Sequence, residues 1–193
     1  MPQNFTLAKT WNGSLVSQED RVHIEIQHSD PLTIRIEIIA PYYNNPPPSG
    51  AVGSHWGLWE HDVVEIFFVG SDGHYIETEF GPHGHYLILQ LDKPRHIIKK
   101  DLTCRYQSRV LGNRWKGEVE LSRSILPQDL DKINLFAIFT IPQIKNETAA
   151  LPSSAAVTQK RRHLLWGTLP GEDPDFHQPQ HFPQCPDLSA EER

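Results

Sequence analysis

The sequence has little sulfur and no long apolar segment. Its 193 residues include two cysteines, Cys104 and Cys185, and a single methionine, Met1. The cysteines are far apart and form no C-x-x-C motif, which argues against a thiolate zinc site or a disulfide framework. No apolar run approaches the roughly 20 residues of a membrane-spanning helix, and residues 1–10 lack the features of a secretory signal. We therefore expect a soluble, cytoplasmic protein without a membrane partner.

Basic residues are scarce over one long segment. Residues 36–92 contain no lysine or arginine but eight acidic residues, and the whole chain has a formal net charge of -6. The sequence thus lacks the basic surface that a phosphate backbone requires, and nucleic acid is not an expected partner. Five of the 11 histidines fall in the same segment. This concentration of carboxylate and imidazole groups predicts either a solvated acidic surface or a site for a cation or a polyol.

Apolar and polar residues alternate in short segments, and no stretch of ten residues repeats with the period of a helix. Residues 22–27 and 34–38 are the clearest examples. About nine such segments, separated by turn residues, predict an all-β fold, a single antiparallel β-sandwich. The length suits one domain over residues 1–193, with an ordered loop at 42–57 and an extended C-terminal tail at 171–193. One short helical turn is expected at 124–131.

One hairpin is constrained enough for its register to be predicted. The segments 63–69 and 75–80 each carry an apolar set on alternate residues. Both sets face the core only if the connecting turn has an odd number of residues, which Ser71-Asp72-Gly73 provides with Gly73 in the left-handed conformation.

This register places Glu65 opposite Glu79 and Phe67 opposite Glu77. Because like charges directly across a sheet are destabilising, the pair needs an arginine, a bound cation or one retained proton. The arginines available to it are Arg95, Arg105, Arg109 and Arg114. A structural pair satisfied by arginine, a cation or polyol site, and general acid/base catalysis all remain open.

Aromatic residues stand among glycine, proline and asparagine rather than in alternating strands. Tyr42, Trp56 and Trp59 occur in or beside the loop at 42–57. Flat aromatic faces in such a setting can bind the CH faces of sugar rings, while nearby polar groups bind the hydroxyls. We expect Trp56 to be at least partly exposed, whereas Trp59, which directly precedes a strand, is the better candidate to close the end of the sandwich.

A ligand site can be assembled from these residues together with a glycine-flanked histidine, His83, and a later Asp/His pair. The predicted ligand-binding residues are Tyr42, Trp56, Trp59, Glu77, Glu79, His83, Asp175 and His177. The candidate catalytic residues are Glu65, Glu79, His83 and His177. The chain has no G-x-S-x-G, P-loop or G-x-G-x-x-G motif. Three functions fit: a saccharide- or polyol-binding module, a small acid/base or metal-assisted enzyme, and a protein-interaction module that uses the Pro-rich loop.

Several short motifs resemble an uncharacterised family of small proteins found in vertebrates and bacteria. They are Thr10-Trp11-Asn12-Gly13, Ala40-Pro41-Tyr42, Leu58-Trp59, Val63-Val64-Glu65, Tyr75-Ile76-Glu77, Pro82-His83-Gly84, Phe136-Ala137-Ile138 and Pro174-Asp175-Phe176-His177. That family in turn is similar to the family 9 carbohydrate-binding modules and to DOMON-like sandwiches, mainly through Asp62-Val63-Val64-Glu65 and the hairpin that follows.

The resemblance implies an antiparallel β-sandwich and, at the level of the superfamily, sugar binding. Two departures bear on function. Carbohydrate modules are normally attached to a secreted glycosidase, whereas this sequence shows no signal peptide. Some DOMON relatives bind haem through Met and His, but the single methionine here is Met1, which argues against that ligand pair. We predict no cofactor, and a divalent cation remains open.

Overall fold

The computed structural model describes residues 1–100, 102–144, 157–186 and 188, and it confirms the all-β fold as a sandwich of two antiparallel sheets. The later part of the tail at 171–193 therefore lies largely outside the described residues. In chain order the strands are β1 (Gln3–Leu7), β2 (Lys9–Thr10), β3 (Val22–Asp30), β4 (Thr33–Pro41), β5 (Val63–Gly70), β6 (Tyr75–Phe80), β7 (Tyr86–Lys93), β8 (His96–Lys99), β9 (Arg105–Leu111), β10 (Arg114–Ser122), β11 (Leu130–Ile144) and β12 (Val157–Leu165).

The strands divide into a five-stranded and a seven-stranded sheet. The order is β1-β3-β4-β10-β9 in the smaller sheet and β2-β12-β11-β5-β6-β7-β8 in the larger. The described helical structure consists of short 3-10 turns at Leu58–Glu60, Arg123–Ile125 and Pro179–His181. The helical turn expected at 124–131 is thus shorter than predicted, because β11 already begins at Leu130. Within the described ranges, no helix has the length and apolar character needed to cross a membrane.

The main core lies between the two sheets and follows from the period-2 pattern of the strands. Alternate residues of β3 and β4, such as Ile24 and Ile36, pack against Ile66 and Phe68 of β5. Trp115 of β10 is fully buried in the same cluster.

The outer face of the larger sheet carries a second apolar cluster. Phe67, Tyr75 and Phe136 project from this face, and Phe176 and Phe182 from the C-terminal tail cover them. As a result every residue of β5 and β6 is buried, on both faces of the sheet. Polar side chains on the outer face of these two strands are therefore removed from water.

The β5–β6 hairpin has the predicted register. Glu65 pairs with Glu79 and Phe67 with Glu77. Its three-residue turn ends at Gly73, whose φ of 82° is the left-handed conformation that glycine adopts without steric cost.

The loop at 42–57 contains no strand but is attached at several points. The Asn45 side chain donates from Nδ2 to the Thr140 carbonyl at 2.7 Å and to Oδ2 of Asp62 at 2.9 Å. Near its other end, the backbone of His55 donates to the Tyr86 carbonyl at 2.9 Å. These bonds hold the loop next to β7 and β11.

Candidate functional site

Three glutamates form a row on the covered face of the larger sheet. Glu65 of β5 lies across from Glu79 of β6, and Glu77 lies two residues away along the same strand. Their exposed fractions are only 2%, 0% and 5%, respectively. Among the described residues, none of the three forms an ion pair with a lysine or arginine.

Burial controls the protonation of this row. Burial, and then the charges of Glu65 and Glu77, raise the pKa of Glu79 well above its usual range, outweighing the backbone of Trp59, which acts in the opposite sense. Burial and the charge of Glu77 raise the pKa of Glu65, whereas the charge of Arg161 lowers it. Burial alone raises the pKa of Glu77 to about 8. These directions favour retained protons on the row near neutral pH.

The four arginines suggested by the sequence bind elsewhere. Arg95 donates to Asp175 at 2.8 Å, and Arg114 donates to the backbone carbonyl of Glu19 at 2.8 Å. Arg105 and Arg109 pair with glutamates of β10 on the other sheet. A retained proton is therefore the form of compensation that the surroundings of the row favour.

A pocket of about 430 Å³ opens over two of these glutamates. We call it the outer pocket; it is lined by Trp56, Trp59, Glu65, Glu77, Leu89, Leu91, Arg95, Ile97, Ile138, His163, Pro174, Asp175, Phe176 and His177. Glu79 lies beside it, fully buried, and neither of its carboxyl oxygens meets the geometry of a hydrogen bond. Oε2 of Glu77 is likewise without a hydrogen-bond partner.

Two tryptophans form one wall of the outer pocket. Their rings meet edge to face, with centroids 5.0 Å apart and an interplanar angle of 84°. Trp56 is 56% exposed, which confirms the predicted exposure of this residue. Trp59 is partly buried against the second apolar cluster, on the outer face of the larger sheet. Gly57, between them, has a φ of 87° and begins the 3-10 turn that carries Trp59.

The C-terminal tail forms the opposite wall. Oδ1 of Asp175 accepts hydrogen bonds from Nη2 of Arg95 at 2.8 Å and from the backbone of His177 at 3.0 Å. Phe176 stacks on Phe136 with centroids 4.1 Å apart. These contacts fix the tail to the sheet at the residues that line the pocket.

The imidazole of His177 points toward Glu77. Its Nδ1 is 2.8 Å from the hydroxyl of Tyr75, and its Nε2 is 3.9 Å from Oε2 of Glu77. Burial, followed by the charge of Arg95, lowers the pKa of His177 to about 4, although Asp175 acts in the opposite sense. Near neutral pH an uncharged imidazole therefore faces an uncharged carboxyl, at a separation longer than a direct hydrogen bond.

The structure brings together most of the residues that the sequence singled out, but not all of them. Trp56, Trp59, Glu65, Glu77, Asp175 and His177 line the outer pocket, and Glu79 adjoins it. Tyr42 and His83 do not line it. Nε2 of His83 donates to the Asn45 carbonyl at 3.0 Å, and its ring packs against Tyr42, because the turn after β6 leads away from the covered face toward the loop at 42–57.

Other lining residues were not anticipated, although the sequence carried a signal for some of them. In β7, Leu87, Ile88 and Leu89 are consecutive apolar residues, all buried. Such a run is typical of a strand covered on both faces. It could have indicated that the outer face of this sheet is closed over, with Leu89 and Leu91 inside. Arg95, which the sequence offered only as a possible partner of the glutamate pair, and His163 reach the pocket through tertiary contacts that no local pattern reveals.

Comparison with known proteins identifies the family. No family model matches the chain. The chain is 31% identical over 182 residues to the UPF0462 protein C4orf33 homolog of Rattus norvegicus. The alignment covers 93% of this chain and 85% of the relative. The human UPF0462 protein C4orf33 is 30% identical with the same coverage. The chain belongs to the UPF0462 family.

A solved structure resembles this UPF0462 chain in fold. It is the crystal structure of a “putative carbohydrate-binding protein” from Bacteroides uniformis, with a TM-score of 0.59 and 17% sequence identity. The match covers 94% of this chain and 84% of the other. At that identity the likeness establishes a shared β-sandwich fold.

A larger cavity, of about 620 Å³, lies at the β5–β6 turn of this UPF0462 chain. Its lining includes Asp72 and His74, which are exposed and bind each other at 2.7 Å. None of the buried side-chain atoms that lack a hydrogen-bond partner in the described residues lines it. The outer pocket, with the unpaired Glu77, is thus the better candidate site despite its smaller volume.

Three histidines cluster near the loop at 42–57. The ring centroids of His61 and His85 lie 5.9 and 5.6 Å from that of His55. Over the described parts of the chain, no group of three or more His, Cys, Asp or Glu side chains is arranged to hold a metal ion. This cluster and the glutamate row therefore do not form a preorganised metal site in this conformation.

Proposed function

We propose that this UPF0462 chain binds a small saccharide or polyol in the outer pocket without altering it chemically. The observation that carries the proposal is the position of the exposed Trp56 beside a pocket whose floor contains the buried carboxyl groups of Glu65 and Glu77, with Oε2 of Glu77 lacking a hydrogen-bond partner. The pocket volume falls within the range usual for small-molecule sites.

The chemistry of the pocket suits a sugar ring. The indole faces of Trp56 and Trp59 supply apolar area for the CH face of a pyranose. A protonated carboxyl both donates and accepts hydrogen bonds, as a hydroxyl does. Glu65 and Glu77 on the floor and His177 in the tail wall are therefore matched to the rim of hydroxyls around such a ring.

Two likenesses support the same ligand class. The chain shares its fold with the Bacteroides protein described above as a “putative carbohydrate-binding protein”. Its Asp62-Val63-Val64-Glu65 segment and the following hairpin are similar to family 9 carbohydrate-binding modules and DOMON-like sandwiches. Both likenesses support a saccharide as the ligand of the outer pocket.

The test is a screen of mono- and disaccharides by ligand-observed NMR and tryptophan fluorescence. We expect weak, saturable binding that changes the fluorescence, and loss of this response in Trp56→Ala. Leu111→Ala is the matched control, because Leu111 is also 56% exposed but lies on the other sheet. If no saccharide or polyol binds, or if Trp56→Ala binds as the wild type does, the proposal is wrong.

A second candidate function, acid/base catalysis on a small molecule, is favoured by one observation. Environment moves the pKa of Glu77 up to about 8 and that of His177 down to about 4, and the two groups face each other across 3.9 Å. Pairs whose pKa values are moved apart in this way are common in acid/base sites. Turnover of a bound saccharide that is lost in Glu77→Gln, with binding retained, would support the enzyme over the binding module.

A further inference from the structure

The buried acidic side chains differ in whether their carboxyl oxygens have hydrogen-bond partners. Asp62 accepts hydrogen bonds from the backbone of Thr140 at 2.8 Å and from Nδ2 of Asn45 at 2.9 Å. Oε2 of Glu77 has none, and Glu79 has only the nearby backbone of Trp59, which lowers its pKa without meeting the geometry of a hydrogen bond. A buried carboxyl without partners costs stability, whereas the two hydrogen bonds of Asp62 offset that cost.

The basic groups nearest the row are already engaged by other atoms. The guanidinium of Arg95 binds Asp175, and that of Arg161 donates to the backbone carbonyls of Trp59 at 2.5 Å and Glu60 at 2.7 Å. His177 and His163 have lowered pKa values, mainly because they are buried, so their rings carry no charge near neutral pH. The charge of Arg161 favours the ionised form of Glu65, but among the described residues no lysine or arginine forms an ion pair with a glutamate of the pocket floor.

A neutral sugar does not require carboxyl groups that can ionise. Glutamine side chains would donate and accept hydrogen bonds to hydroxyls equally well, and they cost less to bury than carboxyls that can ionise. An ammonium group, in contrast, forms strong charge-assisted hydrogen bonds only with carboxylates among these options. The presence of glutamates rather than glutamines on the pocket floor therefore favours a ligand that carries a positive charge.

An ammonium group of the protein itself lies against one of the tryptophans of the outer pocket. Nζ of Lys100 lies 5.4 Å from the centre of the Trp56 ring, within the range of a cation–π contact. Trp59 presents a second indole next to it. A divalent metal would need several oxygen ligands converging on one point, an arrangement absent from the described residues. An ammonium donates its hydrogen bonds in three separate directions and does not need that convergence.

We propose that the outer pocket selects saccharides that carry a protonated amine, with Glu77 and Glu65 accepting its hydrogen bonds. This inference rests on the proposed function, since it specifies the class of saccharide for the same site. The floor is protonated when empty, so entry of the ammonium displaces a proton from Glu77 into solvent. The ligand brings one positive charge, one proton leaves, and the net charge of the complex is unchanged.

The experiment compares glucose, glucosamine, N-acetylglucosamine and propylamine by calorimetry at about pH 6.5, where a sugar amine is largely charged. We expect glucosamine to bind about tenfold more tightly than glucose, the gain of a net charge-assisted contact. N-acetylglucosamine, whose nitrogen is uncharged, should bind as glucose does. Titration in buffers of different ionisation enthalpy should show proton release for glucosamine and none for glucose.

Variants that replace a glutamate of the floor with glutamine test where the amine of the ligand binds. Glu77→Gln keeps the shape of the side chain, so it should bind glucosamine and glucose equally and release no proton. Glu65→Gln is the second variant in case the first does not fold, which circular dichroism would show. Glu118→Gln, at an exposed glutamate of the other sheet, should behave as the wild type.

The outcomes separate this inference from the proposed function. Equal binding of glucose and glucosamine to the wild type would overturn the inference and leave saccharide binding standing. Propylamine binding as tightly as glucosamine would support recognition of the amine but overturn the saccharide as its carrier. No binding by any of the four compounds would overturn both.

Discussion

Tyr75 and His177, 102 residues apart in the chain, meet through a 2.8 Å hydrogen bond between Oη and Nδ1. Tyr75 lies at the start of β6 and His177 in the C-terminal tail, so this bond connects the strand that carries Glu77 to the tail wall of the outer pocket. The ring of His177 also packs edge-on against Phe67, with centroids 5.7 Å apart. The orientation of the imidazole over Glu77 therefore depends on a side chain of the sheet itself.

Tyr75→Phe should release that imidazole. We expect the free energy of unfolding to fall by about 1 kcal/mol, the net worth of one hydrogen bond. Because burial is the main cause of the low pKa of His177, a ring that becomes more exposed should titrate closer to its usual value. NMR titration of the imidazole measures this change, and an unaltered pKa would show that the hydroxyl does not position the ring.

The glutamate row should make stability depend on pH above neutrality. The pKa of Glu77 is about 8 in the folded protein and near its ordinary value of 4.5 in the unfolded chain, so between these values the folded state holds a proton that the unfolded state has lost. Stability therefore falls as pH rises through the folded pKa, by about 1 kcal/mol between about pH 7 and 8 from Glu77 alone. His177, whose pKa is lowered, acts in the opposite sense below about pH 6.5.

Denaturant unfolding of Glu77→Gln over the same range provides the check. The variant should lose less stability than the wild type between about pH 7 and 8 and should be the more stable protein at the upper end. Glu118→Gln serves as the control, since its pKa is lowered by Lys116 and its titration lies in the acid range. Identical slopes for the wild type and Glu77→Gln would mean that Glu77 is ionised in the folded protein.

Gly167 marks a close contact between the tail and the sheet. A Cβ at this position would lie 2.5 Å from Cγ of Pro183, and the Gly167 backbone donates to Oδ1 of the buried Asn134 at 2.9 Å. Gly167→Ala should therefore displace Pro183 and reduce stability by about 1–3 kcal/mol. Adding Pro183→Ala removes the obstructing ring and should restore part of the loss. A double variant no more stable than the single one would place the strain elsewhere.

Arg95 combines a pocket contact with a strained backbone. Its φ of 61° lies in the left-handed region, and its guanidinium binds Asp175. Arg95→Gly and Arg95→Ala both remove the ion pair, but only glycine relieves the backbone, so Arg95→Gly should be more stable than Arg95→Ala by about 1 kcal/mol. Both should weaken saccharide binding to the same extent. Unequal affinities would show that backbone strain, rather than the ion pair, shapes the pocket.

The sequence sufficed for those parts of the fold that depend on local pattern. Alternation and an odd-numbered turn determine the β5–β6 register, so the pairing of Glu65 with Glu79 could be predicted. β8, at His96–Lys99, was missed because three of its residues are exposed or basic and show no alternation. β1 was missed because it is short and buries only Phe5 and Leu7.

The candidate site could be predicted only in part, since it depends on long-range packing. Local sequence identified Trp56, Glu77 and His177 as polar or aromatic groups in unusual settings. It could not show that the turn after β6 carries His83 away from the covered face, or that Arg95 binds Asp175, because both depend on how distant loops and the tail settle on the sheet.

Because the tail covers the larger sheet and lines the outer pocket, the state of the tail can report whether the pocket is occupied. Pro174, Asp175, Phe176 and His177 form one wall, whereas the floor comes from strands about a hundred residues earlier. Because the described part of the tail is not a strand of either sheet, its undocking would remove this wall and leave the strand pairings of both sheets intact. A ligand that binds only the docked state lowers the population of the undocked tail. Proteolysis within residues 167–176 thus becomes a reporter of ligand binding, independent of any optical change at Trp56.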